Sequence, residues 1–269
     1  ILRVPHIAEV RDAWPDLIHE LSLVTNATGR FLPTTLTGRL EDTVLPGYLT
    51  RAQRRAAAVV VTTESFARRL RERGINATVV RSGVSRAEID SGTFNLAERL
   101  PGRDRVNLLY VGTVGRSQDL GSAIRASVLV PGVRLRIVGD GADKAALVAL
   151  AEELGAPVDF FPQTTGPELA AHWEWADAGL VSLGDVPAHT RTVPSKLYSL
   201  MVRGVPVLGI VAGEAAEIIT VNGAGTVAHP GDVASIAEAM RLFSTSVVEP
   251  SRRARQWASC CGAIGTLLP

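Results

Sequence analysis

The chain has 269 residues, 46% of them hydrophobic and 20% charged, which suffices for a sizeable core in one large domain or two modest ones. Its 28 basic and 27 acidic residues give a formal net charge of +1, and this balance argues against nucleic acid as a partner. No apolar run approaches the roughly 18 residues that a membrane-spanning helix needs.

The first hundred residues predict a small set of alternating strands and helices. Strands are predicted at residues 6–10, 59–62 and 77–80, and helices at 49–57 and 65–73. Both helices carry basic runs, at residues 51–55 and 68–73, which we interpret as solvated helix faces. Contact with an anionic membrane surface is the alternative. So few strands make only part of a domain, and we expect a partial Rossmann-like N-terminal domain over residues 1–95.

The glycine-containing, charged stretch 90–105 is predicted to be a linker, and a second domain is predicted over residues 104–245. There, short runs of Val, Ile and Leu alternate with longer Ala- and Leu-rich stretches, as in a parallel sheet covered on both faces. The predicted strands cover residues 106–111, 134–138, 158–161, 178–182, 205–210 and 226–228. The predicted helices cover residues 120–129, 144–154, 166–175, 195–203, 214–222 and 233–243. These units make one complete, doubly wound α/β domain, followed by a helical tail at residues 246–269.

A glycine-containing turn, Gly112-Thr113-Val114-Gly115-Arg116, follows the first strand of this domain and precedes a helix. Glycines at such a turn let backbone amides approach an anion closely, and the helix start adds a partial positive charge. Arg116 places a fixed positive charge directly on the turn. The turn therefore suits a diphosphate, with a purely structural turn as the alternative.

The helix predicted at residues 195–203 opens with an unusual residue. Pro194 and Ser195 suit its first positions, which places Lys196 in the first turn. A lysine there opposes the helix dipole, which favours carboxylates at that end. An anionic ligand would resolve the conflict, and a single misplaced surface lysine is the alternative.

Other polar positions carry weaker signals. Glu214 follows a strand at the carboxyl edge of the sheet, where ligands of such sheets bind, or it simply begins a helix. The stretch 138–141 is interpreted as a tight turn rather than a ribose site. The five histidines lack metal-ligand spacing, and the adjacent Cys260 and Cys261 form neither a disulfide framework nor a metal cage. Since the start lacks the features of a signal peptide, a cytoplasmic location is expected, with contact with the inner membrane face as an alternative.

Taken together, these pieces resemble glycosyltransferase family 4, and within it the WbuB-like branch, whose members act in bacterial surface polysaccharide assembly. The resemblance rests on strings that follow one another in the expected order and are specific as a set. They are EVRDAWPD at residues 9–16, the stretch 57–74, YVGTVGRSQDL at 110–120, VGDG at 138–141, VPSKLY at 193–198, GVPV at 204–207, GAG at 223–225 and PGD at 230–232.

The resemblance implies a two-domain GT-B enzyme whose second domain holds a nucleotide sugar, with the acceptor facing the first domain. It also implies that the C-terminal helical tail, residues 246–269, crosses back to the first domain. It implies retention of the anomeric configuration, a hexosyl or N-acetylhexosaminyl donor and no required metal or cofactor. Arg116 and Lys196 would be catalytic, because they would stabilise the negative charge on the leaving diphosphate. The implied donor-binding residues are Gly112, Gly115, Arg116, Phe161, Pro194, Ser195, Lys196, Ser199 and Glu214.

The sequence departs from the family pattern at three places. Ser199 stands where family members usually carry a glutamate facing the ribose or the sugar. The string at residues 81–84, RSGV, stands where PNGV is common. Family N-terminal domains also carry further residues before the Arg11-Asp12 string, and the chain opens at Ile1 with methionines only at Met201 and Met240, so we expect the first part of that domain to be missing.

Two hypotheses about function therefore stay open. In the first, the chain is an enzyme acting on a saccharide, a lipid-linked or a small-molecule acceptor. In the second, it is a nucleotide-sugar-binding accessory subunit or pseudoenzyme whose N-terminal domain is completed by a partner chain. A nicotinamide-dependent oxidoreductase is disfavoured, because only Gly112 and Gly115 of a G-x-G-x-x-G turn are present.

Overall fold

The computed structural model describes residues 5–20, 34–90, 105–245 and 252–264. Contacts divide the chain into two compact units. The first consists of Ile1–Ser82 and Val186–Val193, and the second of Gly83–Asp185 and Pro194–Pro269. Most of the linker predicted at residues 90–105 lies outside the described residues, so the limit at residue 95 stays a prediction.

The first unit contains a three-stranded parallel sheet. Its strands are β1 (Ile7–Val10), β2 (Ala58–Val61) and β3 (Ala77–Val79), in the order β1-β2-β3. Its helices are α1 (Asp16–Glu20), α2 (Thr34–Arg39), a π-helical turn (Leu40–Val44), α3 (Leu45–Arg55) and α4 (Glu64–Glu72). Phe66 and Leu70 of α4 are buried against Val61 of β2, and this apolar cluster forms the core of the unit.

The segment Val186–Val193 belongs to the first unit although it comes late in the chain. It contains a 3-10 helix, Pro187–Arg191, and buries Ala188 in the core of that unit. The Thr63 hydroxyl donates to the Arg191 carbonyl at 2.7 Å and also accepts from the Phe66 amide, which caps α4.

The second unit contains a six-stranded sheet in which every pairing is parallel. Its strands are β4 (Val106–Val111), β5 (Val133–Val138), β6 (Val158–Phe161), β7 (Ala178–Ser182), β8 (Val207–Ile210) and β9 (Gly225–Ala228). Its helices are α5 (Arg86–Asp90), α6 (Leu120–Val128), α7 (Lys144–Leu154), α8 (Gly166–Trp175), α9 (Ser195–Arg203), α10 (Glu214–Val221), α11 (Val233–Thr245) and α12 (Arg252–Ile264).

The strand order in this sheet is β6-β5-β4-β7-β8-β9, so the order reverses between β4 and β7. This is the Rossmann arrangement, and the doubly wound domain predicted from the sequence is confirmed. Ligands of such sheets bind beyond the carboxyl ends of the strands at the reversal point. The segments that follow β4 and β7 in the chain are those that carry Gly112 and Lys196.

The structure differs from the predicted elements in several places. Helices α1 and α2 and the π-helical turn were not predicted. Helix α3 begins at Leu45 rather than at residue 49, since Pro46 is tolerated in a first helical turn. Strand β8 begins at Val207, because Pro206 has no amide hydrogen to pair with a neighbouring strand. Helix α5 was not predicted at all.

Helix α12 packs on α9 within the second unit. The Trp257 ring stacks on the Tyr198 ring with a centroid distance of 5.6 Å and an interplanar angle of 16°. Ala254 and Ala258 are fully buried beside them. The predicted return of this tail to the first domain stays a prediction. Among the described residues, no helix is both long and apolar enough to cross a membrane.

Candidate functional site

The turn after β4 lies against the turn after β5, and glycine makes this close approach possible. The Gly112 amide donates to the Val138 carbonyl, and the Val114 amide donates to the Asp140 carbonyl, both at 3.0 Å. A Cβ on Gly139 would stand 1.9 Å from the Gly112 carbonyl oxygen. Gly139 is therefore required by the packing of the two turns.

Gly115 and Arg116 end the turn at which the sequence predicts a diphosphate. The Gly115 amide donates to the Gln118 side-chain oxygen at 3.1 Å, so this amide already has an internal partner. Arg116 begins a short 3-10 helix, Arg116–Gln118, and its side chain is exposed. Within the described ranges its guanidinium makes no hydrogen bond or ion pair, which leaves it available to an incoming anion.

Lys196 reaches this turn from the start of α9. The helix begins at Ser195 after Pro194, and its first turn contains no carboxylate. The Lys196 Nζ lies 3.7 Å from the centroid of the Tyr110 ring, and it lies 3.0 Å from the place that a Cβ on Gly112 would occupy. The structure thus brings together Gly112 and Lys196, which lie far apart in the sequence.

The surroundings of Lys196 are apolar rather than acidic. Tyr110 is fully buried, its hydroxyl donates to the Thr113 carbonyl at 2.6 Å, and burial raises the pKa of this phenol, so the ring is neutral. Burial lowers the pKa of Lys196 to about 7. In the part of the chain that the structure describes, the ammonium has no hydrogen bond or ion pair. An anion placed beside it would remove much of the cost of enclosing this charge.

Ser199, further along α9, faces a carboxylate that the sequence analysis missed. Its hydroxyl donates to Glu88 Oε1 at 2.8 Å, and Arg203 Nη2 lies 3.9 Å from the same oxygen. Glu88 Oε2 accepts from the Ser85 amide at 2.9 Å, while the Ser85 hydroxyl accepts from the Glu88 amide at 3.2 Å. This is a capping box, and the Ser-x-x-Glu string at residues 85–88 was the signal in the sequence.

The environment of Glu88 keeps its carboxyl group ionised. Burial by itself raises the pKa of Glu88, but hydrogen bonds from the Ser85 amide, the Ser199 hydroxyl and the Ser85 hydroxyl, with the charge of Arg203, lower the pKa overall. The ionised Glu88 carboxylate therefore lies beside Ser199, the position at which family members usually carry a glutamate.

A cavity of about 190 Å³ in the second unit joins Lys196 to the Glu88 and Ser199 pair. Gly112, Gly115 and Arg116 are not among its lining residues. Its charged and polar lining residues are Glu88, Lys196, Ser199 and Arg203. Leu109, Val111, Leu169, Leu180 and Leu200 supply apolar surface, and Trp173 of α8 supplies an aromatic wall. The cavity thus combines apolar and aromatic surface with charges of both signs, as small-molecule sites do.

Phe161 and Glu214, also predicted as donor-binding residues, are not among the residues that line this cavity. The Phe161 carbonyl accepts from the Gly139 amide at 3.1 Å and from Lys144 Nζ at 3.0 Å, and its ring packs edge-on against His172. Glu214 is buried at the first position of α10, where a carboxylate suits the helix dipole. Their part in donor binding stays a prediction.

The family comparison matches residues 105–245 to the family described as glycosyl transferases group 1. This match covers the whole described sheet of the second unit. Among curated proteins, none matches the chain.

Several solved structures share the fold at low sequence identity. HepE from Anabaena, in complex with UDP and glucose, has a TM-score of 0.66 and 15% identity, covering 98% of this chain and 71% of that one. Sucrose-phosphate synthase from Thermosynechococcus elongatus has a TM-score of 0.69 and 17% identity, covering 97% of this chain and 66% of that one. WaaG, a glycosyltransferase involved in lipopolysaccharide biosynthesis, has a TM-score of 0.61 and 18% identity, covering 99% and 72%. The mixed α/β fold is therefore of the GT-B type, as the sequence predicted.

Proposed function

The chain belongs to the glycosyl transferases of group 1, and we propose that it transfers a sugar, with retention, from a nucleoside diphosphate sugar. The sugar is of the hexosyl or N-acetylhexosaminyl type, and the acceptor is a saccharide, a lipid-linked or a small molecule. We further propose that the chain belongs to the WbuB-like branch of family 4, which its sequence strings resemble. The observation that carries the proposal is the partly buried Lys196 ammonium beside the Gly112 turn, which has no hydrogen bond or ion pair among the described residues.

The diphosphate of the donor occupies the space between the turn at Gly112–Arg116 and the start of α9. Lys196 supplies a cation that lacks a protein partner among the described residues, and Arg116 supplies a second one from the exposed side of the turn. The dipole of α9 adds to both, since Ser195 opens the helix without a carboxylate. Gly112 leaves room for Lys196, because a Cβ there would touch its ammonium.

The chemical step follows from these charges. The bond between the sugar C1 and the diphosphate oxygen breaks, and its electron pair goes to the leaving nucleoside diphosphate. The acceptor hydroxyl forms the new bond to C1 on the same face and passes its proton to the departing diphosphate oxygen. Lys196 and Arg116 stabilise the growing negative charge on the diphosphate, which lowers the barrier without a metal ion. Lys196 does so only when protonated, and the bound diphosphate itself raises the lysine pKa toward its usual range.

Glu88 and Ser199 recognise the hydroxyl groups of the ribose or the sugar. The resemblance leaves this role in doubt at Ser199, where a hydroxyl replaces the family's carboxylate. The Glu88 carboxylate, 2.8 Å from the Ser199 hydroxyl, supplies that group from α5. Trp173 offers an apolar surface opposite the two polar groups.

Uridine is the first base to test, because HepE was solved with UDP and with UDP-glucose. Titration calorimetry with UDP, GDP and dTDP on the wild type, R116A and K196A tests the proposal. The matched control is R125A, which removes an exposed cation from α6 outside the site. We expect one nucleotide to bind, with both site variants weakened at least tenfold and R125A unchanged.

Turnover is then measured as release of nucleoside diphosphate from the matching sugar donor, and proton NMR of the product reads the anomeric configuration. Inversion would contradict the retaining mechanism. If the folded wild type binds none of the nucleotides, the proposal that this chain alone binds the donor is wrong. The hypothesis of an accessory subunit that needs a partner chain to complete its cleft then replaces it. The protein acts in the cytoplasm in this proposal, with acceptors that reach it in solution or from the inner membrane face.

A further inference from the structure

A second, larger cavity lies within the first unit and has no part in the proposed donor site. Its volume is about 1310 Å³. The arginines that line it come from three separate elements and are Arg51, Arg54, Arg55, Arg69, Arg73 and Arg191. Its acidic lining residues are Asp16 and Asp42. We refer to it as the arginine cavity.

Helix α3 contributes a row of three exposed arginines to this cavity. Arg51 and Arg55 are one helical turn apart, a like-charge spacing that destabilises a helix. Neither guanidinium makes a hydrogen bond or ion pair in the described ranges of the chain. The third, Arg54, donates to the Arg73 carbonyl at 2.7 Å, which fixes its position and leaves its charge uncompensated.

On the other side of the cavity, three guanidinium groups share one carboxylate. Asp16 of α1 accepts from Arg73 and from Arg191, the latter at 2.9 Å, and Arg69 Nε lies 3.6 Å from it. One carboxylate neutralises one of these charges and holds all three groups in place. Arg69 also pairs with Glu72 at 3.1 Å, so the excess positive charge comes mainly from the arginines of α3.

We propose that the arginine cavity binds a phosphate-bearing ligand, as a mono- or diphosphate ester. The planar guanidinium group binds phosphate oxygens in pairs, and it keeps its charge at every physiological pH. A phosphate presents several acceptor oxygens, which suits arginines converging from α3 and from α4. The cavity is far larger than a phosphate ion, so it also accommodates the body of the ester, either a soluble phosphorylated molecule or a lipid headgroup.

The small net charge of the chain argues against an extended polyanion as the ligand. The formal charge is +1 over the whole sequence, and the arginines line one open, concave cavity rather than a stripe. The ligand class thus follows from a local excess of fixed positive charge in a concave site. This inference is independent of the donor site, which uses other residues in the other unit.

The test uses the full chain and two probes, inorganic pyrophosphate in solution and phosphatidylcholine vesicles containing phosphatidylglycerol. The variant R51A/R55A removes two charges that have no partner among the described residues, so it should fold normally. The control R68A/R125A removes two exposed charges that do not line the cavity. A second control, R116A/K196A, removes the cations of the donor site. Circular dichroism verifies that each variant is folded.

We expect R51A/R55A to weaken binding of pyrophosphate or of the vesicles at least tenfold. Both controls should bind the same probe in the arginine cavity with the affinity of the wild type. Loss of the pyrophosphate affinity identifies a soluble phosphate as the source, and loss of vesicle binding alone identifies a headgroup. The proposal is overturned if neither probe binds. It is equally overturned if only R116A/K196A loses binding, since the anion then occupies the donor site alone.

Discussion

Lys196 and the arginine cavity both present positive charge, but they differ in burial and in the type of cation. Lys196 is a single cation enclosed against the Tyr110 ring, and burial lowers its pKa to about 7. The arginine cavity holds several guanidinium groups around one carboxylate, and its α3 arginines are exposed. An enclosed amine responds to protons and gains strongly from an anion, whereas exposed guanidinium groups respond to salt and hardly to pH.

Replacing Lys196 by methionine should give the largest effect on donor binding. The methionine fills similar space and cannot carry the charge, so the diphosphate loses its enclosed partner. We expect the affinity for the nucleoside diphosphate to fall about 100-fold at pH 7, in the range seen when a buried charge partner is removed. Titration calorimetry measures the change, and R51A/R55A should keep its nucleotide affinity within a factor of two. Equal losses of nucleotide affinity in K196M and R51A/R55A would show that the two regions do not bind separate ligands.

The same K196M variant should be more stable than the wild type. An enclosed ammonium without a partner costs folding free energy, and its replacement by an apolar side chain should raise the free energy of unfolding by about 1–3 kcal/mol at pH 7. Urea unfolding measures this, and R55A should lie within about 0.5 kcal/mol of the wild type, as exposed substitutions do. A less stable K196M would mean that Lys196 has a structural partner.

The pH dependence of wild-type stability has a defined sign. The unfolded chain binds a proton at Lys196 up to its ordinary pKa of about 10.4, whereas the folded chain releases it near pH 7. Because the unfolded state binds more protons in this window, the free energy of unfolding should rise between about pH 7 and pH 10 relative to that of K196M. Parallel curves for the two proteins would contradict the lowered pKa.

The affinity for the nucleoside diphosphate should fall as the pH rises above 7. The terminal phosphate is already ionised there, since its second pKa is about 6, so the change reports the lysine. We expect a decrease of up to tenfold per pH unit until the raised pKa of Lys196 in the complex is reached. Binding to K196M should be flat over the same range, and so should binding of a phosphate in the arginine cavity.

The smallest expected effect concerns Glu88 and Ser199. Removing the carboxylate in E88Q, or the hydroxyl in S199A, takes away a neutral-to-charged hydrogen bond, so the nucleotide affinity should fall about threefold to tenfold. Comparing UDP with its 2′-deoxy form distinguishes contact with the ribose from a structural effect. If E88Q discriminates between the two nucleotides as well as the wild type does, the carboxylate does not touch the ribose.

The sequence predicted the second unit better than the first for a physical reason. Strands buried on both faces are continuous apolar runs, so the predicted strands 106–111 and 178–182 agree with β4 and β7. Helix α3 begins four residues before its predicted start, because a π-helical turn leads directly into it.

The residues of the proposed donor site could be singled out from the sequence where their signal is local. Gly112, Gly115 and Arg116 lie on one turn, and Lys196 is a cation in the first turn of a helix, where the dipole favours an anion. The turn and the lysine could therefore both be noticed without a structure. Glu88 could not be connected with Ser199, because 111 positions separate them and only packing brings α5 to α9. Likewise, the two basic runs were seen in the sequence, but their convergence on one cavity depends on the tertiary fold.

The central claim is that Lys196 has a lowered pKa in the free protein and binds the diphosphate of the donor. It can be tested directly because Lys144 and Lys196 are the two lysines of the chain. Selective carbon-13 labelling of lysine gives two side-chain NMR signals, and K144R assigns them. The account predicts that the Lys196 signal titrates near pH 7 in the free protein and that UDP raises this midpoint by about one pH unit or more. A midpoint near 10.4 in the free protein, or one that no nucleoside diphosphate moves, would contradict the claim.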